Sequence, residues 1–496
     1  MTPSGQSILI IGAGMAGLFC ALTLSDQSRE ITLLERDPPP PEGDPEAVFE
    51  TWNRRGVGQM RQSHAFLARL RSSIASAHPA LLEALRAAGC REMEFQRALT
   101  DRQRRHYRPQ PIDPELVALS CRRTTLETVL RRYVSDLPGV TIRSGCFVEG
   151  LILEQTDQRP KILGAHTADG ENHLADLVVD TGGRLTPGLE GLIAEGCSIP
   201  DETADAGVLY YTRHFKLRDG LMEPAKSRGV VTGDLGFMKY CVFPADNGWF
   251  SITIAIAEIE DELRVAVVDP SRFDAICSLM PPLDPWLSCS DGVGRVLAMG
   301  NLQSRWRDLA PEGMPLVDGY VALGDALIRA NPLYGRGCTF AMIQAEALAE
   351  AMTEHPSAPL AAFQTRVHQA LRPYFDDMAK QDRAAIRQAA RVANPDFRPD
   401  LKARLLTSFG QQGMAVAVRS DPDLFRQVIE GFHMLTPPGA WMKSRRNLAK
   451  AVAWWMVPKA FKRDVLPASP GPSRTTVMES LGLPVSATWQ RLQAAA

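Results

Sequence analysis

The sequence predicts an α/β fold in which a parallel sheet of the nucleotide-binding kind is interrupted by a mainly antiparallel sheet and followed by a helical C-terminal region. Three observations predict it. A strand, a glycine turn, a helix and a second strand follow one another before residue 36, apolar and polar residues alternate between about 195 and 300, and helical periodicity dominates beyond Pro356. The first pattern is typical of a parallel βαβ unit and the second of antiparallel hairpins.

These patterns divide the chain into four consecutive segments. We expect a nucleotide-binding domain in two parts, 1–190 and 301–355, on either side of an inserted antiparallel domain at 191–300. The last segment, 356–496, is expected to be mainly helical. A chain of 496 residues is too long for one ordinary core, so it has room to bury a large ligand.

Apolar runs and their periodicity indicate the individual elements. Strands are predicted at 7–11 and 31–35 around a helix at 15–25, and a polar loop is expected from Pro38 to about Ser63. The later elements of the nucleotide-binding domain are predicted as helices at 65–88 (broken at Pro79), 124–137 and 339–352, and as strands at 140–142, 147–153, 176–180 and 320–324.

The inserted domain is marked by alternation and by a hairpin turn. Residues 208–217 form one alternating segment, and segments at 240–243 and 249–256 are joined through Asp246-Asn247-Gly248. Asn-Gly between two such segments is a strong signal for a tight hairpin. Antiparallel pairing is therefore predicted here.

Composition excludes several classes of protein. Hydrophobic residues make up 45% and charged residues 23%, which is typical of a globular protein, and a net charge of -2 gives no reason to expect nucleic acid as a partner. The nine cysteines include no CxxC pair, so neither a disulfide framework nor a metal site is expected. We find no signal peptide and no apolar stretch of the roughly 18–20 residues that span a bilayer, and we expect a cytoplasmic protein.

The glycine turn after the first strand has the spacing of a dinucleotide-binding motif. It reads Gly12-Ala13-Gly14-Met15-Ala16-Gly17. Such glycines allow a tight turn, close approach of the backbone to a pyrophosphate, and close packing of helix on strand. Glu35 ends the second strand and is followed by Arg36, and a carboxylate there accepts hydrogen bonds from an adenosine ribose. The sequence therefore predicts a Rossmann-type domain.

A second glycine-rich region distinguishes FAD from NAD as the bound dinucleotide. It reads Gly324-Asp325-Ala326, then Asn331-Pro332-Leu333-Tyr334-Gly335-Arg336-Gly337-Cys338-Thr339. This region resembles the late flavin motif of the FAD-dependent monooxygenases related to aromatic hydroxylases and squalene epoxidase, whose FAD-binding domain is glutathione-reductase-like. The resemblance implies non-covalent FAD, with Asp325 at its ribityl and pyrophosphate part. It places the loop and the following helix, with Pro332, Gly335, Gly337 and Cys338, beside the flavin ring.

Three further stretches extend the resemblance over about the first 350 residues. Residues 175–184 resemble the strand and turn ADLVVDATGR of that family. Residues 54–64 resemble the RRGVPQGRHVH segment, and 121–127 the CSRxxLE segment, of a bacterial branch that includes polyether epoxidases. The last match implies that Arg123 lies near the ribityl and pyrophosphate part of FAD, and a surface arginine at a helix start is the alternative.

The resemblance implies a monooxygenase, an epoxidase or hydroxylase of an apolar, lipid, isoprenoid or polyketide substrate. In that family NAD(P)H or an electron-donor protein reduces the flavin, which reacts with dioxygen to a C4a-hydroperoxide. The WxWxIP signature of the related halogenases is absent. An FAD-dependent desaturase, dehydrogenase or double-bond reductase of an acyl or isoprenoid chain uses the same scaffold and stays an alternative, as does a non-enzymatic FAD-binding protein.

No catalytic acid or base follows from the sequence. The candidates are His64, for positioning flavin or substrate, Arg336 in the flavin loop, and Tyr211. Structural roles fit His64 and Arg336 equally well. The aromatic candidates for the substrate-facing side of the inserted sheet are Tyr210, Tyr211, Tyr240 and Phe243. Strand alternation turns half of such residues to the other side.

In the segment 441–463, lysines and arginines flank aromatic residues, among them Trp454 and Trp455. This composition suits an interfacial segment on an anionic leaflet, and hence a peripheral protein on the inner face of the membrane with a water-insoluble substrate. A helix packed on the flavin domain with solvated lysines is the alternative.

Overall fold

The computed structural model describes residues 6–26, 28–184, 186–224 and 231–494. The strands are β1 (Gln6–Ile11), β2 (Arg29–Glu35), β3 (Arg91–Glu94), β4 (Val117–Ser120), β5 (Val140–Ser144), β6 (Val148–Glu154), β7 (Lys161–Thr167), β8 (Asn172–Leu174), β9 (Leu177–Asp180), β10 (Asp201–Asp205), β11 (Val208–Leu217), β12 (Thr232–Asp234), β13 (Met238–Pro244), β14 (Trp249–Ala257), β15 (Ser290–Met299), β16 (Gln303–Arg307), β17 (Tyr320–Ala322) and β18 (Ile328–Arg329). The α-helices are α1 (Met15–Leu24), α2 (Pro45–Thr51), α3 (Ala68–Ala77), α4 (Pro79–Ala87), α5 (Asp101–His106), α6 (Arg123–Ser135), α7 (Pro187–Ala194), α8 (Asp261–Ala266), α9 (Pro270–Ser278), α10 (Asp284–Leu287), α11 (Gly337–Glu354), α12 (Pro359–Ala393), α13 (Leu401–Phe409), α14 (Ala415–Ser420), α15 (Pro422–Phe432), α16 (Arg445–Met456), α17 (Arg474–Ser480) and α18 (Ala487–Ala494).

A parallel sheet with the strand order β17-β9-β1-β2-β5 forms the centre of the molecule. Ile8 of β1 pairs with Ile31 of β2 and with Leu177 of β9, and all three side chains are buried. Burial on both faces explains why these strands are apolar runs without alternation. The predicted α/β fold with a Rossmann-type sheet is confirmed.

A second, antiparallel sheet has the order β12-β13-β14-β11-β15. One face packs on α8, α9, α10 and α17 through large apolar side chains, among them Phe215, Ile252 and Ile254. The turn between β13 and β14 contains Asn247 and Gly248, both with positive φ, as the tight hairpin requires. The opposite face of the sheet remains available to line a cavity.

The expected loop between Pro38 and Ser63 contains a helix that the sequence prediction lacks. Asp44 accepts a hydrogen bond from the backbone N–H of Ala47, and Pro45 occupies the first turn of α2. Both are helix-start signals, and they outweigh the polar, proline-rich composition of this segment. The predicted strand at 320–324 also ends early, at Ala322, because Gly324 turns the chain with φ +68°.

The chain beyond Pro356 is helical, as predicted. Helix α12 spans 35 residues and packs on α11, and helices α13 to α16 pack against one another and against α5. Within the described ranges, no helix has both the length and the hydropathy needed to cross a membrane.

Candidate functional site

A cavity of about 1550 Å³ lies between the carboxyl ends of the parallel strands, the open face of the antiparallel sheet and helix α15. Ligands of open α/β sheets bind beyond the carboxyl ends of the strands. A pocket for one small ligand measures roughly 300–1,000 Å³. This cavity therefore has room for a cofactor and a second molecule.

The glycine turn lies at one end of the cavity and connects β1 to α1. Gly12 has φ +94°, and a side chain on Gly17 would place its Cβ 2.0 Å from the carbonyl oxygen of Gly12. A Cβ on Gly14 would meet no protein atom within 4 Å. The conformation and packing of the protein thus require glycine at positions 12 and 17, whereas the missing side chain of Gly14 leaves open space towards the cavity.

Two helices begin at the cavity without a side-chain cap. Gly14 precedes α1 and Arg336 precedes α11, and neither position makes a side-chain cap hydrogen bond. Uncapped helix N-termini present free N–H groups and a positive partial charge. Gly337 and Cys338 at the start of α11 line the cavity together with Gly14, Met15 and Ala16.

Glu35 lies beside the glycine turn with most of its acceptor sites in use. Its Oε2 accepts the N–H of Ala13 (2.8 Å) and pairs with Arg54, and its Oε1 accepts the N–H of Asp37 (2.9 Å). A carboxylate has about four acceptor sites. About one therefore remains for a ligand hydroxyl, so the ribose contact predicted for Glu35 stays a prediction.

Arg54 is the buried centre of an ion-pair network that the sequence prediction did not identify. Its guanidinium contacts Glu35, Glu127 and Asp37, which belong to β2, α6 and the segment after β2. Burial disfavours its charge, but Glu127 and Glu35 raise the pKa of Arg54. The network joins three elements at the cavity wall. In the sequence, Arg54 could be singled out only through the resemblance of the segment 54–64 to a known family.

His64 and Arg123 lie together in the cavity wall. Burial, reinforced by the charge of Arg123, lowers the pKa of His64 to about 3, so the imidazole is neutral. Its Nδ1 lies 2.9 Å from the carbonyl oxygen of Gln62 and its Nε2 3.3 Å from Nη1 of Arg123. Arginine is only a donor, so Nε2 accepts and Nδ1 carries the proton. Arg123 also pairs with Glu127 at 2.9 Å.

Asp325 lies at the cavity wall next to several guanidinium groups. Burial raises the pKa of its carboxyl group, although Arg123, Arg329 and Arg184 act in the opposite direction. The loop after it also faces the cavity. Of the residues predicted to contact the cofactor, those that line the cavity are Gly12, Gly14, Met15, Ala16, Glu35, Arg36, Arg123, Gly324, Asp325, Pro332, Gly335, Gly337 and Cys338. Ala13 and Gly17 lie behind this wall.

One part of the stretch 175–184 is buried in the protein, and the other part lines the cavity. The carboxylate of Asp180 is fully buried and accepts hydrogen bonds from the N–H of Gly182 (2.8 Å) and the hydroxyl of Tyr320 (2.8 Å). Gly183 and Arg184 line the cavity. The aspartate of this stretch thus fastens the turn.

Two of the sequence-based catalytic candidates do not line the cavity, which corrects the prediction. The Arg336 side chain lies between the rings of Tyr334 and Tyr374, and its guanidinium donates to the Tyr374 carbonyl (3.3 Å). Tyr211 points into the core on the other face of the antiparallel sheet. Tyr211 faces the core because successive side chains of a strand point to opposite faces. Arg336 does not line the cavity because its side chain is attached to α12.

The other aromatic candidates differ from Tyr211 in position. Tyr210, Tyr240 and Phe243 all line the cavity, but Tyr240 also belongs to the core on the opposite face of the sheet. The Tyr210 hydroxyl donates to Oδ1 of Asn331 (2.7 Å), whose Nδ2 donates to Asp382 (2.9 Å). This chain of hydrogen bonds connects the antiparallel sheet to the flavin loop and to α12.

Sequence reasoning missed a group of neutral polar residues on the cavity side of the sheet. They are Gln62, Ser63, Thr212 and Thr253. The available signal was alternation, since Thr212 and Thr253 occupy positions on their strands whose neighbours face the core. The hydrogen bond between Ser63 and Thr253 spans 190 positions of sequence and that between Gln62 and Leu297 spans 235, so neither has a local signal.

The region of the glycine turn matches a known family. Residues 10–40 match the NAD(P)-binding Rossmann-like domain. Over 386 residues the chain is 30% identical to Protein Rv3254 of Mycobacterium tuberculosis (strain ATCC 25618 / H37Rv), a match that covers 71% of this chain and 73% of that protein.

Solved structures share the fold at lower sequence identity. The flavin-dependent brominase Bmp2 has a TM-score of 0.56 and 17% identity over 86% of this chain and 99% of its own. PqsL, a probable FAD-dependent monooxygenase from Pseudomonas aeruginosa, has a TM-score of 0.55 and 17% identity over 78% of this chain and 99% of its own. The fold is that of flavin-dependent monooxygenases and halogenases.

Proposed function

We propose that this chain is an FAD-dependent monooxygenase, an epoxidase or hydroxylase. It belongs to the family of Protein Rv3254 and has the fold of the FAD-dependent monooxygenase superfamily. Its substrate is a mainly apolar small molecule of the lipid, isoprenoid or polyketide kind. The observation that carries the proposal is one cavity with two uncapped helix N-termini at one end and a sheet face at the other.

The residues at the first end fit FAD. The open space at Gly14 and the N-terminus of α1 suit the pyrophosphate. Asp325 is the acceptor for ribityl hydroxyls, Arg123 contributes a permanent positive charge, and Glu35 offers its remaining acceptor site to the adenosine ribose. The start of α11 stabilises negative charge on the flavin pyrimidine. FAD held there would supply the redox chemistry, with NAD(P)H or a donor protein as the reductant and dioxygen as the oxidant.

The side chains of the protein exclude water from the reaction and orient the groups that take part in it. One oxygen atom enters the substrate and the other leaves as water, with two electrons and two protons consumed. The apolar lining at the far end of the cavity excludes bulk water and so protects reactive intermediates. Neutral His64 donates to the Gln62 carbonyl and accepts from Arg123, so its role is to hold the Arg123 guanidinium at the cavity wall.

Reconstitution with FAD tests the first part of the proposal. Purified protein should take up one FAD, turn yellow, and lose its visible absorption when NAD(P)H or a chemical reductant is added without oxygen. Folded protein that cannot be loaded with FAD contradicts it. Arg336→Met, which changes a buried loop residue outside the cavity, serves as a control that keeps FAD uptake if it folds.

Labelled dioxygen tests the reaction. A monooxygenase product carries one ¹⁸O atom, and its formation is coupled to consumption of reductant. A product with altered double bonds but no label identifies a desaturase or reductase instead. A loaded flavin that no reductant reduces identifies a non-enzymatic FAD-binding protein.

We also propose that the face of α16 docks on an anionic membrane. Leu448, Val452 and Met456 recur at helical spacing and are 50%, 40% and 78% exposed, and Phe461 beyond the helix is 78% exposed. The segment 440–463 contains no acidic residue. An apolar stripe with lysines and arginines around it is complementary to an anionic leaflet.

Liposome flotation tests the membrane proposal. The wild-type protein should float with vesicles that contain anionic lipid and not with neutral ones, and Val452→Glu/Met456→Glu should abolish flotation. Val265→Glu is a matched control, because Val265 is 77% exposed on α8. A protein that never floats, or a double variant that floats like the wild type, contradicts the proposal.

A further inference from the structure

Two cysteines lie opposite each other at one end of the antiparallel strand pair β3–β4. Arg91 of β3 pairs with Ser120 of β4, and Cys90 and Cys121 are the next residues beyond that pair. Both are free cysteines, and they are 5% and 3% exposed. Burial raises the pKa of the Cys121 thiol, and a hydrogen bond with the Cys90 thiol raises it further. The strand register and this interaction both make the two sulfur atoms neighbours.

The strand pair gives these cysteines the spacing that a disulfide bond needs. In the same register, the N–H of Phe95 donates to the carbonyl oxygen of Leu116 (3.1 Å), so these two residues form a hydrogen-bonded pair. Hydrogen-bonded and non-hydrogen-bonded pairs alternate along antiparallel strands, which makes Cys90 and Cys121 a non-hydrogen-bonded pair. The Cα atoms of such a pair lie about 4.5 Å apart. A disulfide bond joins Cα atoms roughly 4.4–6.8 Å apart, so it can form here with little movement of the backbone.

The pair lies close to the wall of the main cavity. A second cavity of about 10 Å³, the space that roughly one water molecule needs, is lined by Cys121. His64 and Arg123 line both this small cavity and the main one. One layer of side chains therefore separates Cys121 from the space that we assign to the cofactor.

Burial decides which oxidants suit the pair. A thiol reacts as the thiolate, which burial makes scarce at Cys121, so the reaction should be slower than at an exposed thiol. A bulky reagent has little access to residues that are 5% and 3% exposed. Hydrogen peroxide is small and uncharged, and it needs only one thiol as a nucleophile when a second thiol is in contact with the first. The oxidant that suits this pair is therefore a peroxide.

We propose that Cys90 and Cys121 are a modification site, a thiol pair that hydrogen peroxide converts to a disulfide bond. One sulfur takes an oxygen atom from peroxide as the O–O bond breaks and water leaves, which gives a sulfenic acid. The second sulfur then displaces that oxygen, and a second water leaves as the S–S bond forms. The two sulfur atoms together give up two electrons, and a thiol reductant restores them.

The inference goes beyond the proposed function and uses it only for a source of peroxide. Reduction of dioxygen by two electrons without oxygen transfer to a substrate yields hydrogen peroxide. The bond would also lie beside the cofactor wall, because Arg122, which pairs with Asp246 (2.6 Å), and Arg123 directly follow Cys121.

Peptide mapping after peroxide treatment tests the site. The full chain is treated with hydrogen peroxide, blocked with iodoacetamide and digested with trypsin without reductant. Cleavage places Cys90 in the peptide 87–91 and Cys121 in the peptide 106–122. The two peptides should appear linked, two hydrogens lighter than their sum, and should separate on addition of dithiothreitol. Oxidation of the partly exposed Cys197 and Cys289 without any linked pair overturns the inference.

The same treatment in concentrated urea tests whether the fold brings the two thiols together. Unfolding removes the strand register, so chance decides which of the nine cysteines meet. The share of linked peptides that joins 87–91 to 106–122 should fall at least about tenfold. A share as large in urea as in the folded protein overturns the inference.

Serine variants assign the loss of thiols to this pair. In wild type, peroxide should lower the number of thiols counted after unfolding, and dithiothreitol should restore two of them. Cys90→Ser and Cys121→Ser should each abolish this reversible part. Cys197→Ser removes a partly exposed cysteine outside the pair and is the matched control that keeps it. An unchanged reversible loss in Cys90→Ser assigns the bond to other cysteines and overturns the inference.

The source of peroxide is tested separately. Added peroxide decides the inference in protein without flavin as well, so a chain that never takes up FAD defeats the proposed function and leaves this test in force. In FAD-loaded protein, NAD(P)H and air without a substrate should form the same bond, and catalase should prevent it. A bond that forms equally with catalase present comes from another oxidant and overturns peroxide as the agent.

Discussion

The two ends of the cavity are walled by different kinds of group. The dinucleotide end, made by the turn 12–17, Glu35, Arg54 and Asp325, combines a constrained backbone with buried charges. The sheet end presents neutral amide and hydroxyl groups, and the space beyond them is lined by apolar side chains with charged ones, such as Lys239 and Arg97, among them. Charged phosphates need fixed donors and charges, whereas discrimination among apolar molecules needs a few placed neutral groups. Substitutions at the first end should therefore affect folding and FAD, and those at the second mainly the choice of ligand.

The largest effect is expected from Arg54→Leu. The variant leaves Glu35 and Glu127 buried without their partner, and breaking a buried ion pair in this way costs about 3–5 kcal/mol. Urea unfolding followed by tryptophan fluorescence should show a strongly lowered midpoint, with loss of FAD. Arg55→Leu is the control, since Arg55 is exposed and should change stability by less than about 0.5 kcal/mol. A midpoint equal to that of the control would falsify the structural role of the network.

The pH dependence of stability should depend on Asp382, which joins the two ends through Asn331 and Tyr210. Burial raises the pKa of Asp382 to about 6 from 3.8. The neutral form is thus favoured in the folded state, so this stability is complete below pH 3.8 and is lost as pH rises through about 6. The loss amounts to about 2–3 kcal/mol.

Melting temperatures measured from pH 3.5 to 8 test this prediction. Wild type should lose stability relative to Asp382→Asn over the interval from pH 3.8 to about 6. Parallel curves for the two proteins would show that Asp382 does not titrate there. Asp376→Asn on the same helix, whose side chain is 56% exposed, controls for the loss of one surface charge.

Gly17→Ala and Gly14→Ala should separate folding from cofactor binding. The added Cβ at position 17 meets the Gly12 carbonyl at 2.0 Å, and overpacking of this kind costs about 1–3 kcal/mol. The added Cβ at position 14 meets no protein atom and should leave the unfolding midpoint unchanged while FAD affinity falls at least about tenfold. Unchanged FAD affinity in Gly14→Ala contradicts the placement of the pyrophosphate.

The smallest effect is expected from Tyr210→Phe. It removes one hydrogen bond to Oδ1 of Asn331, which still accepts from the N–H of Leu333 at 3.0 Å. The loss of stability should be about 1 kcal/mol, without loss of FAD. A loss of FAD instead would show that the two ends of the cavity are coupled through Asn331.

Local signals were sufficient for the dinucleotide end. The motif 12–17 follows an apolar strand and opens a helix, so that its geometry depends on a few adjacent residues. Helix α2 was missed although its capping signals at Asp44 and Pro45 are local. Tyr211 and Arg336 were placed wrongly because the direction of a side chain depends on which face of a strand or loop meets the rest of the protein.

The amino-acid order by itself determined the α/β fold, the dinucleotide turn and the late flavin loop, because each depends on backbone preferences and periodicity within a short stretch. Segments far apart in the chain set the burial of Arg54 among three acids, the hydrogen bonds of Gln62 and Ser63 to strands β15 and β14, and the shape of the far part of the cavity. Those contacts exist only once the sheets pack, since no local preference encodes which distant side chain meets which.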